Sequence, residues 1–242
     1  MIKNTNIKLK AIEVQKALRA KSSPIKAKNC AWFFKTGPGQ YGEGDIFWGI
    51  TVPEQRIIAK KYHDLPLSEI EILLKNKIHE QRLTALHILV YQFKKASELN
   101  KKKIYTFYLN HTKHINNWDL VDSSARDIVG AYMILKPTER KKLYTLVKSK
   151  NLWERRISII ATHAFIQQKD FTDTIKLSIL LLHDTEDLMH KAVGWMLREM
   201  GKRDVTALTK FLQAYKNQMP RTALRYAIEH FPPQIRKSYL AK

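Results

Sequence analysis

The chain has 242 residues, 44% hydrophobic and 10% aromatic, enough to bury a sizeable core and too apolar for global disorder. Lysine and arginine number 43 against 22 acidic residues, a net charge of +21, which points to a polyanionic partner, nucleic acid before a membrane surface. No apolar run approaches the length of about 18 residues that a membrane-crossing helix needs. The N-terminal Met1-Ile2-Lys3-Asn4-Thr5 lacks the apolar core of a signal peptide, and the single cysteine, Cys30, excludes an internal disulfide and fits a reducing cytosol.

With eight glycines, eight prolines and few segments alternating with period two, the apolar spacing is helical nearly throughout. Ile7 to Ala20 reads as a first amphipathic helix, carrying Leu9, Ile12, Val14 and Leu18, and Lys28 to Phe34 as a short second one. The neighbours of Cys30, Ala31-Trp32-Phe33-Phe34, suggest a buried, inert thiol with no base to activate it. A loop follows from Lys35 to Asp45, with a literal G-x-G-x-x-G at Gly37, Gly39 and Gly42. The dinucleotide-binding reading fails, because that fingerprint needs a preceding strand and a helix opening inside the motif. Two readings stay open: an irregular surface loop, or a backbone-amide loop whose Gln40 and Tyr41 touch a phosphate or sugar.

Thr51-Val52-Pro53-Glu54 is a capping box with proline at an early helical position, opening a helix that runs to about His63. Pro66 opens another, with Ile70, Leu73 and Leu74. Further helices are expected at 79–96, 100–112, 118–135, 138–149, 152–168, 172–183, 187–200, 204–217, 221–230 and 234–240, with Pro137, Pro220 and Pro232-Pro233 between them.

A weak internal repeat runs through these helices. Glu80-Gln81-Arg82-Leu83 resembles Glu154-Arg155-Arg156-Ile157, and the stretches from His190 and Pro220 follow the same outline. Arg82 and Arg156 lie 74 residues apart, with Asp119 halfway, and Arg156 and Lys191 lie 35 apart. This period fits a helix pair of HEAT or armadillo size. The expected fold is therefore all-α: one domain over 1–242, a superhelical solenoid of antiparallel helix pairs with a concave DNA-binding face. On such a solenoid Trp118, Arg156 and Trp195, at intervals of 38 and 39 residues, become neighbours on one face.

The stretch Trp118-Asp119-Leu120-Val121-Asp122 carries the candidate chemistry. On a helix Trp118 and Asp122, four residues apart, share a face, while Asp119 points about 100° away. Asp122 could instead stabilise a helix N-terminus or pair with Arg126. Arg156 sits in a basic run with Arg155, and Trp195 follows Gly194, which permits close approach of another element. Trp32, Trp48 and Trp153 read as packing residues. His111 and His114 have helical ligand spacing but no accompanying motif, so no metal is expected.

These stretches resemble the AlkD-like DNA alkylation repair proteins, HEAT-like-repeat DNA glycosylases. The resemblance is carried by Phe33-Phe34-Lys35-Thr36-Gly37-Pro38-Gly39-Gln40-Tyr41-Gly42-Glu43-Gly44-Asp45, Trp118-Asp119-Leu120-Val121-Asp122, Trp153-Glu154-Arg155-Arg156, Lys191-Ala192-Val193-Gly194-Trp195-Met196-Leu197-Arg198-Glu199 and Arg221-Thr222-Ala223-Leu224-Arg225-Tyr226-Ala227-Ile228-Glu229. It implies a hydrolase of N-glycosyl bonds that removes N3- or N7-alkylated purines from duplex DNA without a base-flipping pocket, and the motif's lack of a lysine nucleophile adds the expectation that the enzyme is monofunctional, with no lyase step. It places the family's aromatic pair on Trp118 and Trp195, its catalytic aspartate on Asp122 and its active-site arginine on Arg156, Arg155 being the weaker match. Arg155, Lys191 and Arg221 join Gln40 and Tyr41 as candidate DNA contacts.

The expectation is a monomeric enzyme of a bacterial-type cytosol, associated with the nucleoid when on DNA. Its partner is double-stranded DNA containing alkylated bases, and no cofactor, metal or membrane is called for. The alternative is a non-catalytic HEAT-like module that binds unusual or damaged DNA structures with the same charge and fold. A protein-binding scaffold is a third class, disfavoured by the basic surface.

Overall fold

The structure, a computed structural model, describes residues 9–241. The expectations placed on Met1 to Thr5 and on Ile7 as a helix start lie outside the described residues. Among the described residues all regular structure is helical and no strand forms; one isolated parallel bridge pairs Ile46 with Ile78. The chain divides into two compact units, Met1–Ser124 and Ala125–Lys242.

The first unit holds α1 (Ala11–Arg19), α2 (Pro24–Phe33), α3 (Val52–Lys61), α4 (Leu67–Leu74), α5 (His79–Lys95), α6 (Glu98–Asn110) and α7 (Trp118–Asp122). Helix α5 is its centre and packs against α1, α3, α4, α6 and α7. Thirteen of its 17 residues are buried, so it has no solvent face, and the polar residues of its first turn must find partners inside the protein. Glu80, 2% exposed, meets that demand by accepting hydrogen bonds from the backbone N–H groups of Trp48, Gly49 and Ile50 at 2.7 to 3.2 Å. The Thr51 capping box forms as expected, with Glu54 accepting from the Thr51 backbone N–H at 3.1 Å. Helix α2 starts four residues before its expected position. Ser23 caps it and Pro24 opens it, a start signal that the apolar spacing alone does not register.

The single helix expected at 118–135 is broken. Helix α7 ends at Asp122, a turn occupies Ser123 and Ser124, and a π-helical turn over Arg126–Gly130 leads into α8 (Ala131–Leu135). The buried Ser124 hydroxyl hydrogen-bonds the Leu120 carbonyl at 2.6 Å and the Tyr108 hydroxyl at 3.0 Å. A serine bonded back to the previous turn in this way competes with the helical ladder.

The second unit continues with a 3₁₀ turn, Pro137–Arg140, then α9 (Lys141–Leu146), α10 (Leu152–Ala161), α11 (His163–Ile166), α12 (Thr172–Leu180), α13 (Asp187–Arg203), α14 (Val205–Tyr215), α15 (Arg221–Ala227) and α16 (Pro233–Leu240). The helix expected at 152–168 divides at Thr162, whose hydroxyl bonds the Ile159 carbonyl at 2.7 Å. Helix α13 is the centre here, packed against α10, α11, α12, α14 and α15. The residues aligned by the internal repeat fall on neighbouring helices within each unit: Arg82 and Asp119 on α5 and α7, and Arg156, Lys191 and Arg221 on α10, α13 and α15. Gly194 allows the α13–α15 approach, since a Cβ there would lie 2.5 Å from the Ala223 carbonyl oxygen.

Of the three tryptophans assigned to packing, Trp153 is buried and Trp48 is half-buried under the Arg19 guanidinium, 5.0 Å from its ring centre. Trp32 is not a packing residue: it is 82% exposed, on a helix with no buried residue. Cys30 is half-buried, and burial, followed by the charges of Glu80 and Asp119, pushes its thiol pKa up, consistent with an inert thiol.

One polar network joins the elements of the first unit. His79, at the start of α5, lies between two carboxylates, with Nδ1 2.8 Å from Asp45 and Nε2 2.8 Å from Asp119. Ionised carboxylates only accept, so both ring nitrogens must donate and the imidazole is held as a cation. Arg82 donates to the other oxygen of Asp45 and to the carbonyls of Asn76 and Lys77, and Asn117 donates to Asp45 at 3.1 Å. Two cations and two anions thus balance where none of the four side chains is more than 12% exposed. Burial alone would lower the His79 pKa, but the Asp119 charge and the two hydrogen bonds overcome it and raise the value from 6.5 to about 9. Burial likewise works to raise the Asp45 pKa, and His79 and Arg82 together bring it below its ordinary value.

Two stability measurements follow from this packing. Gly194→Val drives side-chain atoms into the α15 backbone, and urea unfolding should show a loss of roughly 2–3 kcal/mol. Because the folded-state pKa of His79 lies above its unfolded value, its contribution is complete below about pH 6.5 and disappears as pH rises through about 9. Wild-type stability should therefore fall by up to about 3 kcal/mol across that window, a decline that His79→Asn should not show.

Candidate active site

Helix α7 is short, and what precedes it sets its position. Asn117, fully buried, caps the helix by accepting from the Trp118 backbone N–H at 2.8 Å, while its amide nitrogen donates to Asp45. The Trp118 ring stacks on Phe34, with centroids 5.3 Å apart and planes 14° from parallel, and Phe33 meets it edge-on at 6.1 Å. Phe34 in turn stacks on Phe47 at 5.0 Å and leans against His79. Trp118 is thus the half-buried end of an aromatic column built from α2, the loop after it and α5.

The two aspartates of α7 have different surroundings. Asp119 is held by His79 and belongs to the buried network. Asp122 is half-buried, one helical turn beyond Trp118 on the same side of the helix. Its charge acts on Tyr108, a fully buried phenol whose pKa is raised first by burial and further by Asp122. Asp119 thus has a structural partner in His79. Arg126 holds Asp127 through two hydrogen bonds, at 2.8 and 3.1 Å.

In the second unit, Arg156 and Trp195 lie on the packed helices α10 and α13. Arg156 is 4% exposed, and its guanidinium donates to the Leu188 carbonyl at the start of α13. Arg155 grips Asp184 with two nitrogens, at 2.7 and 3.3 Å, and also donates to the carbonyls of Ser149 and Lys150. Its geometry is that of a brace between helix ends. Trp195 is half-buried; its indole N–H donates to Glu199 at 3.1 Å, and His163 meets its ring edge-on at 5.9 Å. Lys191 pairs with Asp187 one turn earlier, and the exposed Arg221 donates to the Leu240 carbonyl.

The glycine loop does not offer a cradle of backbone amides. The Gly37 N–H is taken by the Gln40 side chain at 3.1 Å and the Gly39 N–H by Glu43 at 2.9 Å. The Gly42 N–H bonds the Lys35 carbonyl, and a Cβ at Gly42 would lie 2.2 Å from the Phe34 carbonyl oxygen. Tyr41 directs its hydroxyl to the Phe33 carbonyl at 3.4 Å. Gly42 serves close chain approach, and Gly39 and Gly44 take left-handed backbone, which favours the reading as a self-bonded surface loop.

Several residues around the site carry little signal in the sequence. Phe34, Asp45, His79 and Asn117 build the support of α7, yet they come from three separate stretches with no common spacing. Phe34 and Asp45 bound the loop that carries the family resemblance, and that was the available clue. Glu199 and His163, which hold Trp195, are similarly dispersed. Among the described residues no group of three or more histidine, cysteine, aspartate or glutamate side chains could hold a metal ion, and no helix is long and apolar enough to cross a membrane.

The family model described as DNA alkylation repair enzyme matches residues 14–231, most of the chain. No curated protein matches the sequence. Among solved structures, a predicted DNA alkylation repair enzyme from Enterococcus faecalis is similar, with a TM-score of 0.70 at 19% identity, covering 88% of this chain and 98% of that one. The X-ray structure of AlkD2 from Streptococcus mutans has a TM-score of 0.55 at 14% identity, covering 91% and 96%. At these identities the structures establish a shared fold, and the family model extends the relation to the sequence: the chain belongs to the DNA alkylation repair enzyme family and has an AlkD-like, all-α fold.

Proposed function

We propose that the chain is a monofunctional DNA glycosylase that hydrolyses the N-glycosidic bond of cationic N3- or N7-alkylated purines in duplex DNA. The observation that carries this reading is the setting of Trp118 and Asp122 on α7. Asp119 is committed to His79, and Asp122 lies half-buried one turn from a tryptophan whose ring is fixed by stacking. The net charge of +21 supports a DNA partner. The packing of equivalent helices within each unit supports the reading of the fold as HEAT-like pairs.

The chemistry needs one carboxylate. An N3- or N7-alkylpurine already carries positive charge and departs as a neutral base, so little general-acid help is required. The deoxyribose left behind develops oxocarbenium character, which Asp122 stabilises while it orients or deprotonates the attacking water. Uncharged glycosides ordinarily call for two carboxylates. Trp118 packs against the sugar and, like Trp195 in the second unit, attracts a cationic lesion through its π face. Arg156 fixes the phosphate backbone on this reading. Its burial and its bond to the Leu188 carbonyl hold the guanidinium at the start of α13. No base-binding pocket is invoked; selectivity comes from the lability of the lesion itself.

Asp122→Asn should lower release of methylated purines by about a hundredfold or more, while duplex binding persists with its salt dependence. Chromatography of released base beside anisotropy binding measures both, and full activity in Asp122→Asn would remove the assignment. Wild-type protein that binds DNA yet releases no base would instead be the non-catalytic module. A uracil-containing duplex should yield no base, because uracil departs as an anion that nothing in this mechanism stabilises; measurable uracil release would overturn it.

A further inference from the structure

Helix α2 presents an apolar stripe to solvent. Ile25 is 78% exposed, Trp32 82% and Phe33 56%, and Ile25, Asn29 and Trp32 follow one another at helical spacing along a single side. Lys28, one turn before Trp32, and Lys35, three residues after it, are both exposed. Two clefts border the indole. A cleft of about 450 Å³ borders it with Asn29 and Cys30, and one of about 580 Å³ borders it with Lys35, Thr36 and Gly37. The next residue, Phe33, touches Trp118 edge-on, so this stripe begins one residue from the candidate active site.

An exposed indole between lysines matches a ligand that is flat, aromatic and flanked by negative charge. We propose that Trp32 is a stacking platform for an unpaired nucleobase, with Lys28 and Lys35 on the phosphates either side of it. The inference rests on the proposed DNA-repair function and extends it: the protein would hold, beside the lesion, a base that has lost its pairing. Stacking on a tryptophan face is tolerant of base identity, because every base has a π face, and lysine contacts track the backbone. An anionic membrane would also attract lysines and a tryptophan. The clefts beside the ring favour a planar group entering edgewise over a flat lipid surface.

The test uses the full-length protein, a fluorescent oligothymidylate, a fluorescent intact duplex and anionic phosphatidylserine vesicles, with Trp32→Leu and Trp32→Tyr as variants. Trp32→Leu should weaken oligothymidylate binding roughly five- to hundredfold, Trp32→Tyr should keep most of it, and duplex affinity should be unchanged in both. Thermal melting checks that the variants fold, as the exposure of Trp32 leads one to expect. Equal oligothymidylate affinity in Trp32→Leu and wild type would overturn the platform, as would an equal loss on intact duplex. It would also fall if Trp32→Leu lost only vesicle binding. If wild type binds duplex and releases base while Trp32→Leu binds oligothymidylate normally, only the platform is lost. If wild type binds neither nucleic acid, the DNA-repair function fails as well.

Discussion

The first unit depends on an imidazolium held between two carboxylates. His79 is the residue through which three separate stretches of chain are positioned: the loop ending at Asp45, the first turn of α5, and α7 through Asp119. Any of its charges buried alone would be costly, and only the complete set is stable. Removing one partner leaves the others unmatched, so the loop and α7 are tied to α5 by electrostatics as much as by apolar contact. Arg82 completes the balance and also satisfies the Asn76 and Lys77 carbonyls just before α5.

That cluster holds the five-residue helix α7 in place. A helix as short as α7 has little stability of its own. It is fixed by the Asn117 cap, by Asp119 on His79, and by Trp118 stacked on Phe34. The π-helical turn from Arg126 and the Ser124 back-bond show that the chain departs from regular helix just after Asp122. Such departures are frequent at functional sites because they free backbone and side-chain directions that a continuous helix would lock. Rigid support before the aspartate and irregular backbone after it together define the surroundings of Asp122.

Much of this was legible in the sequence, and the rest was hidden for identifiable reasons. Helical spacing located most of the helices, the capping box at Thr51 formed, and the glycine before Trp195 does admit α15. The 35- to 37-residue period placed aligned residues on helices that pack together within each unit. Breaks at Ser123–Ser124 and Thr162 were missed, because serine and threonine within a helical pattern reveal only in three dimensions whether they bond back to the previous turn. Trp32 was misjudged because residue type is a poor guide to burial when the helix that carries it has no buried face. The role of Asp119 also needed coordinates. Helical geometry favours Asp122 as the companion of Trp118, but only the position of His79 explains what Asp119 is for.

The proposed chemistry carries an electrostatic tension that bears on how such a protein would find its substrate. A protein of net charge +21 repels a cationic base, so long-range attraction must be to the phosphates, and it is blind to damage. Recognition of the lesion can then begin only at contact distance, where the sign of the local field has to be reversed. On the proposed chemistry Asp122, with the π face of Trp118 one turn away, would supply that reversal. On that chemistry Asp122 would stabilise the cation least when the bond is intact and the charge lies on the base, and most when the charge moves onto the sugar beside the carboxylate. Discrimination would therefore reside in the reaction rate and not in the affinity. A protein working this way can bind undamaged duplex nearly as well as damaged duplex and still act on the damaged one alone.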